Sequence, residues 1–226
     1  ITGNGRCYLT NACGRDEFLQ NVVRNPRFLY SALDALSPAA LMETMERWGC
    51  PVVVERGNRV FPASQKASDV TRAFERQLRR LGVQVRLNTR VSGIDMRSGR
   101  VAGVRLMGGK SVPCGAAIVC TGGASYPSTG STGDGWVWLE ECGHTIAPAL
   151  PSLVGLESPA QWVRALAGLS LRNVRLTLSR GKKRLYSELG EMLFTHLGVS
   201  GPLVLSASAY LTGLPAREMT LAVDLK

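Results

Sequence analysis

Apolar residues in the first half of the chain recur at spacings that switch between a helical and a strand period. Ser37-Pro38 reads as an N-cap and first helical position. After it, Leu41, Met45 and Trp48 share one side of a pattern that stops at Gly49. The run Pro51 to Glu55 then predicts a strand, Arg56-Gly57-Asn58 a turn, and Arg59-Val60-Phe61 the returning strand. Beyond Pro62, Val70, Phe74, Leu78 and Leu81 fall three or four apart and predict a second helix ending at Gly82. Val83 to Leu87 alternates apolar and polar positions, which predicts another strand. Helix, glycine and strand in quick succession point to a βαβ-type arrangement with a parallel sheet.

A β-meander follows, in which Val91 to Met96, Val101 to Met107 and Ser111 to Pro113 are joined at Arg97-Ser98-Gly99-Arg100 and Gly108-Gly109. It leads into the apolar run Ala116 to Cys120, which has the pattern of a buried strand. The next stretch, CTGGASYPSTGSTGDGW at 120–136, is packed with small and turn-forming residues. Asp134 can then cap a helix whose inward residues are Val137, Leu139 and Cys142, ended by Gly143. Prolines 148, 151 and 159 mark a connection, and a domain boundary is placed near Leu150, giving domains 1–150 and 151–226. In the second domain, Leu171 to Ser179, Arg184 to Ser187 and Met219 to Leu225 read as antiparallel strands. Gly201-Pro202 opens a helix over Leu203 to Leu211, capped by Ser200.

Composition narrows the class. The 226 residues can bury a sizeable core, and no apolar run is long enough to cross a bilayer as a helix. A net charge of +10 could serve a nucleic-acid partner, but the cations are scattered and no aromatic residues interleave with them as a stacking platform. Solvated faces account for them better, so neither a nucleic-acid nor a membrane partner is expected. Six cysteines form no CxxC pair and there are two histidines, so no metal site of usual spacing is expected. Reduced cysteines in a cytoplasmic protein are the default.

Two glycine-rich pieces carry candidate chemistry. Thr121-Gly122-Gly123 sits where a strand would end, and ligands of open α/β sheets bind outside the carboxyl ends of strands. Glycine lets backbone approach a ligand closely, and the helix opened by Gly133-Asp134-Gly135 presents N–H groups and partial positive charge suited to phosphate. A plain tight crossover is the competing reading, and the segment alone leaves the two even. In Gly3-Asn4-Gly5-Arg6-Cys7, Arg6 could pair with phosphate or face solvent, and Cys7 could be a redox group or a small packed residue. No Ser-His-Asp set and no pair of carboxylates is readable, so any reactive group would come from a bound cofactor. Arg6, Tyr126 and His196 are candidates for proton transfer, and none is singled out as catalytic.

Six motifs in order, GNGRCYLTN at 3–11, RVFPASQKASDV at 59–70, LGVQVRLNTRVSGI at 81–94, CTGGASYPSTGSTGDG at 120–135, GHTIAPALPSLVGL at 143–156 and GEMLFTHLGVSGP at 190–202, closely resemble the BaiN-like flavoproteins. These are FAD-dependent oxidoreductases with a glutathione-reductase-type fold. The resemblance implies an α/β chain made of a partial Rossmann-type FAD-binding domain, a parallel sheet with a β-meander, followed by the start of an inserted β-rich domain. It implies FAD as cofactor, with NAD(P)H as reductant for a small organic substrate. Gly5, Arg6 and Cys7 would lie near the flavin side, Val91 would offer backbone to the adenine, and Thr121, Gly122 and Gly123 would pass beside the dinucleotide. Gly133, Asp134 and Gly135 would open the following helix within the segment lining the flavin. Tyr8 stands where family members usually carry Asn, and Cys120 where Ala is more usual. The family's GxGxxG motif belongs before Ile1 and its C-terminal segment that closes the flavin site is absent too, so the chain is expected to be a fragment that binds FAD poorly or not at all in isolation. The competing class is a basic α/β nucleic-acid-binding protein without redox activity.

Overall fold

The computed structural model describes residues 5–225; Gly3 and Asn4 of the first glycine-rich piece lie outside them. In chain order the elements are β1 (Thr10–Asn11), α1 (Arg15–Gln20), a 3-10 turn (Pro26–Leu29), α2 (Tyr30–Ala35), α3 (Pro38–Arg47), β2 (Val52–Glu55), β3 (Arg59–Pro62) and α4 (Ala67–Arg80). Next come β4 (Val91–Arg97), β5 (Arg100–Leu106), β6 (Ser111–Pro113), α5 (Asp134–Glu141), β7 (Leu156–Glu157) and α6 (Gln161–Ala165). The chain continues through β8 (Ser170–Arg180), β9 (Lys183–Phe194), β10 (Gly198–Ser200), α7 (Pro202–Ala209) and β11 (Met219–Asp224). It separates into two units: the chain up to Ala12 with Pro38–Pro148, and Cys13–Ser37 with the chain from Ala149 onward.

The first unit holds two small sheets, in the orders β1-β3-β2 and β4-β5-β6. The β2–β3 hairpin pairs Val54 with Val60 and Glu55 with Arg59, as the turn at Arg56-Gly57-Asn58 requires. Beside it α3 and α4 bury Met45, Cys50, Val70 and Ala73 against one another. Phe74, expected inward on α4, is exposed and instead meets Trp48 edge-on at a centroid distance of 5.2 Å. The meander forms as its pattern predicts, with a bulge between Val91 and Gly93.

The expected parallel sheet is not seen among the described residues, where every strand pairing is antiparallel. Segments 83–87 and 116–120, both anticipated as strands, have no ladder partner there. Alternation fixes which face a side chain takes, but a strand exists only when a neighbouring backbone accepts from its N–H groups and donates to its C=O groups.

The second unit is built on a five-stranded antiparallel sheet of order β11-β8-β9-β10-β7. On β8, Val174, Leu176 and Leu178 are buried at every second position, meeting Met192 and Phe194 of β9 and Leu203, Val204 and Ala207 of α7. Each such Val, Leu, Met or Phe side chain, fully buried, contributes about 1.5–3 kcal/mol of transfer free energy. Helix α7 is capped by Gly201 rather than by the expected Ser200. Among the described residues no helix is long and apolar enough to cross a membrane.

Candidate functional site

The glycine-rich loop of the first unit folds back on its own ends. The Gly133 N–H donates to the Gly123 carbonyl at 3.1 Å, and the Trp136 N–H donates to the Gly133 carbonyl at 3.0 Å. The Trp136 ring lies against both glycines, where a Cβ at either position would stand 3.5 Å from a ring carbon. Between these ends, residues 124–130 are exposed throughout. Gly122 has a φ of 75°, a region unfavourable for L side chains, and a Cβ there would lie 2.9 Å from Ser131 Oγ.

Gly135 is the tightest point. It is buried in the first turn of α5, and an added Cβ would overlap Thr121 Oγ1 and stand 2.9 Å from Val119 Cγ1. Helix α5 therefore starts pressed onto the 119–121 segment, a contact that the absence of a side chain at this position permits. The helix is capped by Gly133 at a φ of 81° with no side-chain hydrogen bond, so Asp134 is its first residue and not the expected cap. Of the three residues expected to face inward on α5, Val137 is exposed, while Leu139 and Cys142 are half-buried.

Asp134 has a different task. Its carboxylate accepts a hydrogen bond from Arg90 Nη2 at 3.4 Å, and Arg90 directly precedes Val91 at the head of β4. This pair ties the start of the meander to the N-terminus of α5, bringing the Val91 and Gly133–Asp134–Gly135 elements together. Both side chains are solvated, so the pair contributes at most about 1 kcal/mol and fixes position more than stability.

The Gly5–Cys7 piece packs elsewhere within the unit. The Gly5 carbonyl accepts from the Ala67 N–H at 3.0 Å, at the start of α4. Arg6 Nη1 donates to Glu55 Oε1 at 3.0 Å and to Gln65 Oε1 at 2.9 Å, and its guanidinium carbon lies 4.1 Å from the Phe61 ring centroid. Arg6 thus braces β2, β3 and the turn before α4. Tyr8 stacks on Phe61 with centroids 5.5 Å apart. Its hydroxyl accepts from Asn11 Nδ2 at 3.3 Å. Cys7 takes a φ of 65° and packs against the core of α3 and α4 beside Cys50, whose thiol is pushed up mainly by burial and then by Asp69. The expected site residues therefore form two groups, one around α5 and one beside β3.

Arg90, Ser131 and Trp136 were not anticipated. Trp136 carried a signal, being the first large residue after Gly133-Asp134-Gly135, whereas nothing in sequence links Arg90 to a carboxylate 44 positions away.

A mixed α/β chain with a glycine-rich loop leading into a helix whose N-terminus is pressed onto the 119–121 segment has elements that a dinucleotide-binding fold uses. The chain belongs to the HI0933-like protein Rossmann domain family, whose model matches residues 1–218. It is 30% identical over 230 residues to the 3-dehydro-bile acid delta(4,6)-reductase of Clostridium scindens, covering 99% of this chain and 54% of that protein. It is 28% identical to the ribosomal RNA dihydrouridine synthase of Haemophilus influenzae and 27% identical to that of Escherichia coli K12, in each case over 93% of this chain and 51% of the relative. The chain spans about half the length of these relatives. The resemblance to BaiN-like flavoproteins is thus confirmed, and the family's cofactor is FAD.

The residues present fit such a group. An exposed loop without side chains at Gly122 and Gly130, next to the N-terminus of α5, offers close backbone approach and partial positive charge, the Gly130 N–H itself being used within the loop on the Pro127 carbonyl at 3.0 Å. A Cβ at Gly130 would meet nothing within 4 Å, so the backbone there is open to a neighbour.

Proposed function

We propose that this chain forms the FAD-binding part of an oxidoreductase that takes reducing equivalents from NAD(P)H and passes them to a small organic substrate. The observation that carries this reading is the seating of α5 on the 119–121 segment at Gly135, within a chain of a flavoprotein family. When bound, FAD supplies hydride or electron transfer. The chain's own residues bind and orient: Thr121, Gly122 and Gly123 offer backbone beside the dinucleotide, Gly133, Asp134 and Gly135 present the helix N-terminus, and Val91 offers backbone to the adenine. Gly5, Arg6 and Cys7 line the flavin side, with Arg6 acting through the β2–β3 hairpin that it braces. Both kinds of relative carry names that describe a reduction, one a reductase and the other a synthase of a dihydro product.

The test is purification of the full-length protein and its absorption spectrum, followed by oxidation of NADH and NADPH. A flavin band released as FAD on denaturation, with steady oxidation of one nicotinamide, is expected. Colourless protein that cannot be reconstituted with FAD would end the proposal.

One observation favours a second reading of the substrate. Arg180, Lys182, Lys183 and Arg184 cluster, all exposed, at the β8–β9 turn, and two relatives are named for ribosomal RNA. The same flavin chemistry would then act on RNA. Binding to a ribosomal RNA fragment that weakens steeply with salt would support it, and affinity flat in salt would remove it.

A further inference from the structure

The second unit contains a cavity of about 520 Å³ that none of the FAD contacts above involves. Its floor is Tyr186, 6% exposed, on β9. The Tyr186 hydroxyl donates to Glu188 Oε2 at 3.2 Å, and Ser206 on α7 lines the same cavity. Tyr186 and Glu188 are two positions apart on one strand and so point to the same face. The Tyr210 ring stands 5.5 Å from that of Tyr186 and forms part of the wall, along with the apolar Val23 and Leu153. At the rim, Arg24 is held by one N–H, which Nη1 donates to the Thr212 carbonyl at 2.8 Å. A guanidinium has five N–H donors in a fixed fork, so this anchor leaves others for an anion.

The core of the unit has no use for this arrangement. The sheet is closed by Val174, Leu176, Leu178, Met192 and Phe194, and a phenol, a carboxylate and a guanidinium converging on open space add nothing to that packing. Beside the aromatic and apolar surface of Tyr210, Val23 and Leu153 stand the polar Asn21, Ser152 and Thr212, a mixed lining suited to a small ligand of both characters.

We propose that this cavity binds a ring-bearing organic acid that also carries a hydroxyl. The ring lies against Tyr210, the acid group meets Arg24, and the hydroxyl enters the Tyr186–Glu188 pair, donating to the carboxylate and accepting from the phenol. Burial, then the charge of Glu188, pushes the Tyr186 phenol up to about 12, so it remains a donor throughout the physiological range. The site is independent of the flavin reading and stands or falls without it.

The experiment is calorimetric titration of the full-length protein, with and without FAD, using 3-(4-hydroxyphenyl)propionate as probe. 3-Phenylpropionate, which lacks the hydroxyl, and 4-ethylphenol, which lacks the acid, serve as controls. Saturable binding of the hydroxy acid, at least about tenfold tighter than either control, is expected. Tyr186→Phe should lower the hydroxy acid to the affinity of 3-phenylpropionate, and Arg24→Gln to that of 4-ethylphenol. Glu188→Gln, at an exposed position, gives the same readout should Tyr186→Phe fail to fold. Absence of saturable binding, equal affinity for all three compounds, or unchanged discrimination in the variants would overturn the proposal.

Discussion

Strand β8 and the segment 83–87 carry the same kind of alternation, yet they end in opposite environments. Leu176 is 0% exposed, whereas Val85 is 60% and Leu87 79% exposed, and Ile118 in the companion segment is 91% exposed. Strand β8 has β9 on one side and β11 on the other, with α7 across its apolar face. Segments 83–87 and 116–120 have no such neighbours among the described residues. Periodicity states which face a side chain will take, and burial depends on what stands opposite. The glycine-rich loop lies between these extremes, held by its own ends rather than by a sheet.

Substitutions in the two environments should differ widely in their cost. Leu176→Ala should cost about 2–5 kcal/mol, because the sheet and α7 cannot collapse into the space left. Chemical denaturation measures this, and a loss under about 1 kcal/mol would mean that the core is looser than described. Gly135→Ala should cost about 1–3 kcal/mol by overpacking against Thr121 and Val119. The double variant Gly135→Ala/Thr121→Ala should recover part of that loss, and no recovery would remove the proposed contact.

Tyr186 gives the second unit a pH signature. Its folded value, about 12, lies above the ordinary value of 10, so the folded state holds the proton more tightly. That stabilisation is fully present below pH 10 and is lost as pH rises from 10 through 12. Tyr186→Phe should flatten this part of the stability profile, and an unchanged slope would show that the phenol is solvated. Asp134→Asn should cost at most about 1 kcal/mol, with an effect that shrinks as salt rises. The smallest effect is expected from Leu87→Ser and Ile118→Ser, each within about 0.5 kcal/mol, as for other solvent-facing sites. A loss of several times that from either would show that something covers them.

These regions differ in legibility for the same reason. Helices α3 and α4, the β2–β3 hairpin and the meander were readable because Gly49, Gly82, Gly57-Asn58 and Ser98-Gly99 punctuate them locally. In the second unit β8, the start of β9 and β11 were readable as antiparallel strands, whereas the short β7 and β10 and the rest of β9 were not. No parallel pairing appears among the described residues, because the evidence for it was local while its requirement is a distant strand. At the candidate site, the glycines were visible from composition, but their partners were not. Thr121 against Gly135, Arg90 on Asp134, and Arg6 braced by Glu55 and Gln65 depend on chain positions brought together only by folding. The same holds for Tyr186, Glu188 and Arg24, none of which stands in a recognisable motif.

The most direct test of the central reading is the FAD affinity of full-length protein carrying Gly122→Val, followed by quenching of flavin fluorescence alongside a melting curve. The substitution forces a β-branched residue to a φ of 75° in the loop next to α5. FAD affinity should fall tenfold or more while the second unit stays folded. A folded variant with undiminished affinity for FAD would contradict the assignment of this loop to the cofactor.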